Sequence, residues 1–391
     1  MKPKLRFSEF TDEWQVKKLA DVGVKIIDGD RGKKYPNGDD LLSDGYCLFL
    51  NAKNVTKSGF IFIDNTFISQ RKDSELRKGK LKEFDIVLTT RGTIGNVAYY
   101  NCQIPYENVR INSGMVLLRS RNSGVLPGYL YKMTDSDLFN NQVRRISFGS
   151  AQPQLTVSGI NKIKLSIPSK PEQQKIANFL TSVDDKISAI DKKVELLKEY
   201  KKGVTQKIFR QEIRFRNKNG DLYCDWQTIP FDNIFVSLSI KKYQILNSQF
   251  SKSGEYPIVD QGQELIAGYS DDSKKLFTNI PVIVFGDHTT FVKYIDFDFI
   301  VGADGIKILK QKNNNILKYL FYYLEYNKIE PEGYKRHFGN LRTLIIDIPV
   351  IEEQQKIADF LTKLDDKIKL TEQKLNQTKQ FKKVLLQRMF V

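Results

Sequence analysis

The stretch "PEQQKIANFLTSVDDKI", residues 171–187, returns as "EEQQKIADFLTKLDDKI", residues 352–368. The match runs without a gap from Ile167 to Phe209 and from Ile348 to Phe390, at an offset of 181 residues, with about half of the positions identical. A weaker echo precedes each copy: "LRF" at Leu5 and "DEWQ" at Asp12 resemble "IRF" at Ile213 and "CDWQ" at Cys224. The chain therefore reads as two half-molecules in tandem, each an opening strand, a variable block and a long repeated segment.

Each repeated segment has the pattern of one long helix. In the first copy Ile176, Leu180, Val183, Ile187, Ile190, Val194, Leu197, Val204 and Ile208 recur at alternating spacings of four and three, with Lys201 in the one gap. The second seam runs Ile357, Leu361, Leu364, Ile368, Thr371, Leu375, Thr378, Lys382, Leu385 and Met389. Such spacing is a heptad seam. Lysine at the equivalent positions 201 and 382 lowers seam stability but fixes register and orientation. Ser169 with Glu172 forms a candidate capping box for the first helix, "FRNKNG" ends it, and Val350 stands where a cap would open the second. About 40 residues make a helix about 60 Å long. Two such helices, each too narrow to bury its own seam, most simply pair antiparallel, giving a pseudo-twofold dumbbell; the plainer alternative is that each packs on its own domain. The matched polar residues Glu172, Gln173, Gln174, Asp184 and Asp185, with Glu353, Gln354, Gln355, Asp365 and Asp366, are read as exposed positions facing the same kind of partner twice.

Composition sets the class. The 391 residues exceed one ordinary core, and 40% hydrophobic with 12% aromatic content supports folded domains. A formal net charge of +16 favours a polyanion, most simply nucleic acid, over an anionic membrane surface. No apolar run has the length of a membrane span and the N-terminus has no signal-peptide core, so a cytoplasmic protein is expected. Cys47, Cys102 and Cys224 lie far apart and read as buried free thiols.

The variable blocks, residues 21–166 and 233–347, share grammar rather than sequence. "DIVLTTRGTIGNVAYY" from Asp85 and "IPVIVFGDHTTFVKYI" from Ile280 each predict a hairpin. Each is followed by a glycine-bearing strand, "INSGMVLLRS" or "VGADGIKILK", and by an aromatic helical stretch. The expected fold class is α+β: two mixed α/β domains, each with a curved sheet and a few helices, joined by two long antiparallel coiled-coil helices. Candidate DNA-contacting residues collect at the turns of the first block: Arg31, Lys33, Lys34, Asn51, Lys53, Asn54, Arg91 and Thr93, then Arg144, Arg145, Ser150, Gln152 and Gln154 of "RRISFGSAQPQLT". In the second block they are Lys241, Lys242, Gln261, Gln263, His288, Thr289, Thr290, Lys293, Lys335, Arg336 and His337. Such side chains hydrogen-bond phosphates and base edges; singly, each also reads as a solvated loop residue.

A reaction is harder to find. "GDRGKK" at Gly29 has the wrong spacing for a phosphate loop. The proline-rich tetrapeptide with which a DNA amine methylase holds its target is missing from the sequence, and two histidines, His288 and His337, are too few for a metal cluster. No catalytic or metal-ligating residue is assigned.

The duplicated "IPSKPEQQKIANFL" and "IPVIEEQQKIADFL", the "DDKI" continuations, "EWQ" and "DWQ", "RGTIGNVAYY" and "GSAQPQL" together resemble the specificity subunit of bacterial type I restriction-modification systems. That resemblance covers the whole chain. It implies a first target recognition domain over 1–166, a central conserved helix over 167–211, a second recognition domain over 212–347 and a C-terminal conserved helix over 348–391. It further implies a non-catalytic subunit that reads a split duplex DNA target, one domain per half-site, while the helices set the gap and dock two modification (methyltransferase) subunits. Restriction subunits with ATPase and nuclease activity would join them, and S-adenosylmethionine, ATP and Mg would sit on the partner subunits, with no cofactor on this chain. By position, "RGT" at Arg91 and "GSAQPQ" at Gly149 become DNA-facing; the second block has "FGDHTT" and "FGNLRT" instead. The alternative of a different class is a basic coiled-coil scaffold that binds nucleic acid nonspecifically.

Overall fold

A computed structural model describes residues 2–147, 153–333 and 335–390. The chain forms two compact units, Met1–Ile190 with Lys374–Val391, and Asp191–Gln373. The two repeated segments form the long helices α1 (Lys170–Phe209) and α2 (Ile351–Met389), and each helix contributes one part to each unit.

In the first unit a four-stranded antiparallel sheet has the spatial order Lys25–Asp28, Met115–Arg119, Ile86–Thr89, Val97–Tyr99. The second unit repeats it as Phe235–Leu238, Ile306–Gln311, Val282–Gly286, Val292–Ile295. The expected hairpins and helical stretches, Pro127–Thr134 and Leu317–Tyr326, are present, whereas each expected glycine-bearing strand is two strands, Val109–Ile111 and Met115–Arg119 or Phe299–Val301 and Ile306–Gln311, with the glycines in the turn between them. A further small sheet in each unit pairs two strands in parallel, Cys47–Leu50 with Val109–Ile111 and Tyr256–Val259 with Phe299–Val301. A two-stranded ribbon, Gln15–Lys18 with Lys164–Ile167 or Gln227–Pro230 with Ile345–Ile348, leads to each long helix. Each variable block thus contains separate small sheets instead of one curved sheet. The blocks share little sequence and nevertheless the order of the main sheet and the ribbon, because strand pairing uses backbone groups that every non-proline residue carries; the smaller sheet has three strands in the first unit and four in the second.

The heptad seam is the buried side of both helices. Ile176, Leu180 and Val183 of α1 join Leu385 and Met389 of α2, and Phe390 just after it, in the first core, around Tyr129, Leu130 and Met133. Val204 and Ile208 join Ile357, Leu361 and Leu364 in the second, around Tyr319, Tyr322 and Tyr323. The helices therefore pack on the α+β fold of each variable block and on each other within each unit, antiparallel in both. Lys382 Nζ lies 2.8 Å from both Asp184 and Asp135, and Lys201 Nζ lies 2.6 Å from Asp365 and 3.7 Å from Glu325. These are the two seam lysines, each paired with the first aspartate of the opposite "DDKI". Around Lys382, burial pulls the ammonium pKa down, but Asp135 and Asp184 outweigh it and hold the group above its ordinary value of 10.5.

Helix α1 ends earlier than "FRNKNG". Gln211 takes a left-handed φ of 58°, its N–H bonds Ile208 O at 2.9 Å, and the Glu212 N–H bonds Lys207 O at 2.9 Å, which closes the last turn. Residues 215–220 form a separate turn, with Asn217 N–H on Asp221 O at 2.8 Å. Of the three thiols only Cys47 is buried; Cys102 and Cys224 are exposed because both lie on surface connections instead of core strands. Burial pushes the Cys47 thiol up to about 12.

Candidate nucleic-acid interface and partner surface

In the first unit the turn carrying Arg91 and Thr93 stands on a fixed base. The Thr90 hydroxyl donates to Gly114 O at 2.9 Å, the Thr90 and Arg91 N–H groups reach the same oxygen at 2.8 and 3.3 Å, and Leu155 N–H bonds Thr90 O at 3.0 Å. The Thr89 hydroxyl accepts from Asn96 N–H at 3.0 Å and donates to Thr93 O. Arg91 and Thr93 themselves are exposed, and Gln154 is half-buried beside Leu155. Arg31 donates to Asp28 at 3.1 Å and to Ser113 O at 3.3 Å, so it borders the same loop. The backbone around Asp30 is pinned by its carboxylate, which accepts from the N–H groups of Arg31, Gly32 and Arg77 at 2.8, 3.1 and 2.7 Å; these bonds, led by that from Arg77, outweigh burial and hold its pKa below the ordinary 3.8. Asn51 joins from the adjacent strand end, where Asn112 N–H bonds Leu50 O at 3.2 Å. Arg31, Asn51, Arg91 and Gln154 thus gather around residues 112–114.

Other candidates fall elsewhere. Asn54 is fully buried and donates to Ile61 O at 3.1 Å, so it holds its own turn and is no surface reader. Lys53 pairs with Asp64 at 3.2 Å and Lys34 with Glu75 at 3.7 Å, both exposed, as is Lys33. Arg144 and Arg145 are exposed at the end of the helix Asp137–Ser147. Ser150 and Gln152 lie outside the described residues.

In the second unit the equivalent turn, residues 287–291, is latched to the loop after Val259. His288 N–H bonds Gln261 Oε1 at 3.2 Å and the Thr289 hydroxyl donates to Gln261 O. His288 Nδ1 lies 3.0 Å from Lys335 O, which brings exposed Lys335 and Arg336 alongside. Gln263, Lys241 and Lys242 are exposed, and Thr290 is half-buried. Two expected contacts are structural. His337 is 1% exposed; its Nε2 accepts from Glu332 N–H at 2.9 Å and its Nδ1 faces Asp287 O at 3.1 Å, so the imidazole braces the turn. Lys293 is buried with its ammonium on Asp260 O at 2.9 Å, and desolvation lowers its pKa despite Asp260.

The repeated polar residues split by depth. Glu172 is 1% exposed and accepts from Arg6 Nε at 2.7 Å, Arg6 Nη2 at 2.8 Å and Trp14 Nε1 at 3.2 Å. Glu353 takes the same bonds from Arg214, at 3.2 and 2.8 Å, and from Trp226 at 3.1 Å. The echoes "LRF…EWQ" and "IRF…DWQ" are therefore the other halves of two clamps on the long helices, and Phe7 and Phe215 add edge-on contacts to Phe179 and Phe360 at 5.8 and 5.7 Å. With both carboxylate oxygens committed to Arg6 and Trp14, Glu172 acts as the floor of a clamp instead of the reciprocal member of a capping box. Gln173 and Gln354 are buried too: each accepts a backbone N–H, from Leu126 at 2.8 Å or Ile316 at 2.9 Å, and donates to the carbonyl of Pro168 or Pro349. The expectation of exposed, partner-facing groups fails at these four, because each satisfies a buried backbone or cationic group of its own unit. Asp184 and Asp365 are half-buried in the lysine pairs, whereas Gln174, Asp185, Gln355 and Asp366 are exposed. The sequence reading passed over Tyr200 and Phe381, 55% and 53% exposed at equivalent places on α1 and α2; their shared offset of 181 was the available signal.

Among the described residues no grouping of His, Cys, Asp or Glu could hold a metal, and no helix is long and apolar enough to cross a membrane.

The family described as type I restriction modification DNA specificity domain matches residues 11–206 and 223–380. The MjaX protein of Methanocaldococcus jannaschii, assigned as a type I restriction enzyme specificity subunit, is 25% identical, with 98% of this chain and 94% of that protein covered. The MjaVIII specificity subunit of the same organism is 23% identical over 96% of this chain and 91% of its own. Among solved structures, a type I restriction-modification S subunit from M. genitalium superposes with a TM-score of 0.62 at 15% identity, covering 100% of this chain and 99% of the other. The pair of like folds on repeated helices and these similarities lead to one conclusion: the chain belongs to the type I restriction-modification DNA specificity family, as a specificity subunit with two recognition domains.

Proposed function

We propose that the chain reads an asymmetric, bipartite duplex DNA target with one unit per half-site, and that its repeated helices dock two modification subunits and set the gap between the half-sites. The observation that carries this reading is the contrast between frame and loops. Clamps, helix seams and the order of the main four-stranded sheet are the same in both units, whereas the turns on equivalent strands carry unlike chemistry, "RGTIGN" against "DHTTF". An identical frame suits two copies of one partner, and unlike loops suit two unlike half-sites. Arg31, Asn51, Arg91 and Gln154 are assigned to the first half-site, and Gln263, His288, Lys335 and Arg336 to the second. Exposed Gln174, Asp185 and Tyr200, with Gln355, Asp366 and Phe381, are assigned to the two modification subunits. S-adenosylmethionine, ATP and Mg are assigned to those subunits and to restriction subunits, and this chain contributes recognition without catalysis.

The test is to co-produce the chain with its modification subunit and map N6-methyladenine across the host DNA by single-molecule sequencing. One split motif with a fixed gap is the expected result. An assembled complex that methylates no site, or sites with no common sequence, would favour a scaffold that binds nucleic acid by charge alone, and that binding would fall steeply with salt.

A further inference from the structure

The second unit carries an apolar tip at the place where the first carries polar groups. Its turn follows strand Val282–Gly286, with Thr290 N–H on Gly286 O at 2.8 Å and Gly286 N–H on Phe291 O at 2.9 Å. The same pattern in the first unit joins Gly95 N–H and Asn96 O to Thr89 at 3.0 Å each, which makes Gly95 the counterpart of Thr290 and Asn96 that of Phe291. Gly95 has φ +89°, a conformation open to glycine; Thr290 adopts φ +60°, which a β-branched residue rarely does. Backbone held in so unfavoured a region is a mark of functional sites. Asn96 turns its amide inward, to Val55 O at 3.0 Å, whereas Phe291 is 42% exposed. The neighbouring loop is tied to this strand by Lys293, whose ammonium bonds Asp260 O at 2.9 Å and Glu264 O at 2.5 Å, and it presents Leu265 and Ile266, 47% and 37% exposed.

We propose that Phe291, supported by Leu265 and Ile266, reads the C5-methyl group of a thymine in the half-site of the second unit; this deepens the assignment of that unit as a DNA reader and rests on it. In the major groove that methyl is the apolar feature that distinguishes one base pair from another. An aromatic face has no donor for the guanine edge, which suits the Arg91 side of the first unit. The Thr289 hydroxyl is already given to Gln261 O, the His288 ring is held through Nδ1 against Lys335 O, and the adjoining Lys335 and Arg336 offer charge for phosphates, so the apolar tip adds methyl readout to the polar contacts of this turn. Thr290 is a positioning residue that holds Phe291 in place.

The experiment uses the full chain assembled with its modification subunit and duplexes that carry the mapped target, with each thymine in turn replaced by uracil, which removes only the methyl. At one position, in one half-site, the wild-type complex should lose about fourfold in affinity, the value of one buried methyl. Phe291→Ala should be indifferent to that replacement, Phe291→Leu should keep part of the response, and replacements in the other half-site should affect all three alike. A wild-type complex indifferent to every replacement, or Phe291→Ala with an undiminished response, overturns the proposal. So does Phe291→Ala failing to assemble, which would place the side chain at a protein contact. A wild-type complex without any sequence preference would instead overturn the assignment of DNA reading itself.

Discussion

Glu172→Gln removes one charge and almost no volume from the first clamp, and the consequence can be worked from the geometry. The carboxylate is 1% exposed and receives three donors, two from Arg6 and one from Trp14. The Arg6 side chain is 12% exposed, so it would keep its charge in a largely desolvated place with no counter-ion. Losing one member of a buried ion pair costs about 3 kcal/mol. With about 3 kcal/mol per molar urea for a unit of this size, the transition should fall by about 1 M urea. The chain supplies its own reporters, since its two tryptophans, Trp14 and Trp226, are the indole members of the two clamps. Urea titrations followed by fluorescence, in backgrounds where one or other tryptophan is Phe, read each clamp separately. Glu172→Gln should move the Trp226 transition far less than that of Trp14, whose own background is needed to see the 1 M shift. Arg6→Met combined with Glu172→Gln should recover part of the loss, because it leaves no stranded charge and the Gln amide oxygen still accepts from Trp14 Nε1. A shift below about 0.3 M urea, or a double variant worse than Glu172→Gln, would refute the clamp as a buried charge pair.

Three further outcomes follow from the same coordinates. Lys382→Met should cost about 2 kcal/mol, chiefly through Asp135, since Asp184 keeps Lys132 at 2.6 Å; because the folded ammonium titrates above 10.5, the wild-type advantage in thermal unfolding should be constant from neutral pH to about pH 10 and shrink as pH rises further, and an advantage that instead changes near neutrality would contradict the pairing. Gly29→Ala would place its Cβ 2.1 Å from Asn112 O, so the 112–114 loop must shift, with a loss of about 1–3 kcal/mol and weakened recognition of the first half-site alone; unaltered unfolding and an unaltered methylation map would show that the loop is not a fixed platform. Tyr200→Ala and Phe381→Ala should each leave urea unfolding of the chain within about 0.5 kcal/mol and reduce the modification subunits bound, by native mass spectrometry, from two to one; retention of both subunits by the double variant would remove these aromatics from the docking surface.

What the sequence determined by itself is the duplicated frame. Heptad spacing is a property of neighbouring residues, so the seam from Ile176 to Ile208 and its copy from Ile357 to Met389 were legible in the sequence, as were the two hairpins and the equivalent seam positions of Lys201 and Lys382. The resemblance to specificity subunits rested on the same local motifs. Which polar members of the repeat lie inside was decided only by tertiary structure: the partner of Glu172 is Arg6, 166 residues away, and that of Glu353 is Arg214, 139 residues away. A glutamate between two polar neighbours at the start of a helix looks solvated until a guanidinium arrives from elsewhere in the chain. For the same reason His337 and Lys293, residue types suited to contacting DNA, proved to brace loops distant in sequence, at Asp287 and at Asp260, while Asn54 braces its own turn. The common topology of the two recognition blocks was also hidden, because backbone hydrogen bonds set strand order and leave the side chains free to diverge. The residues that hold the frame repeat, and the tips of the turns, Arg91 in one unit and Phe291 in the other, do not.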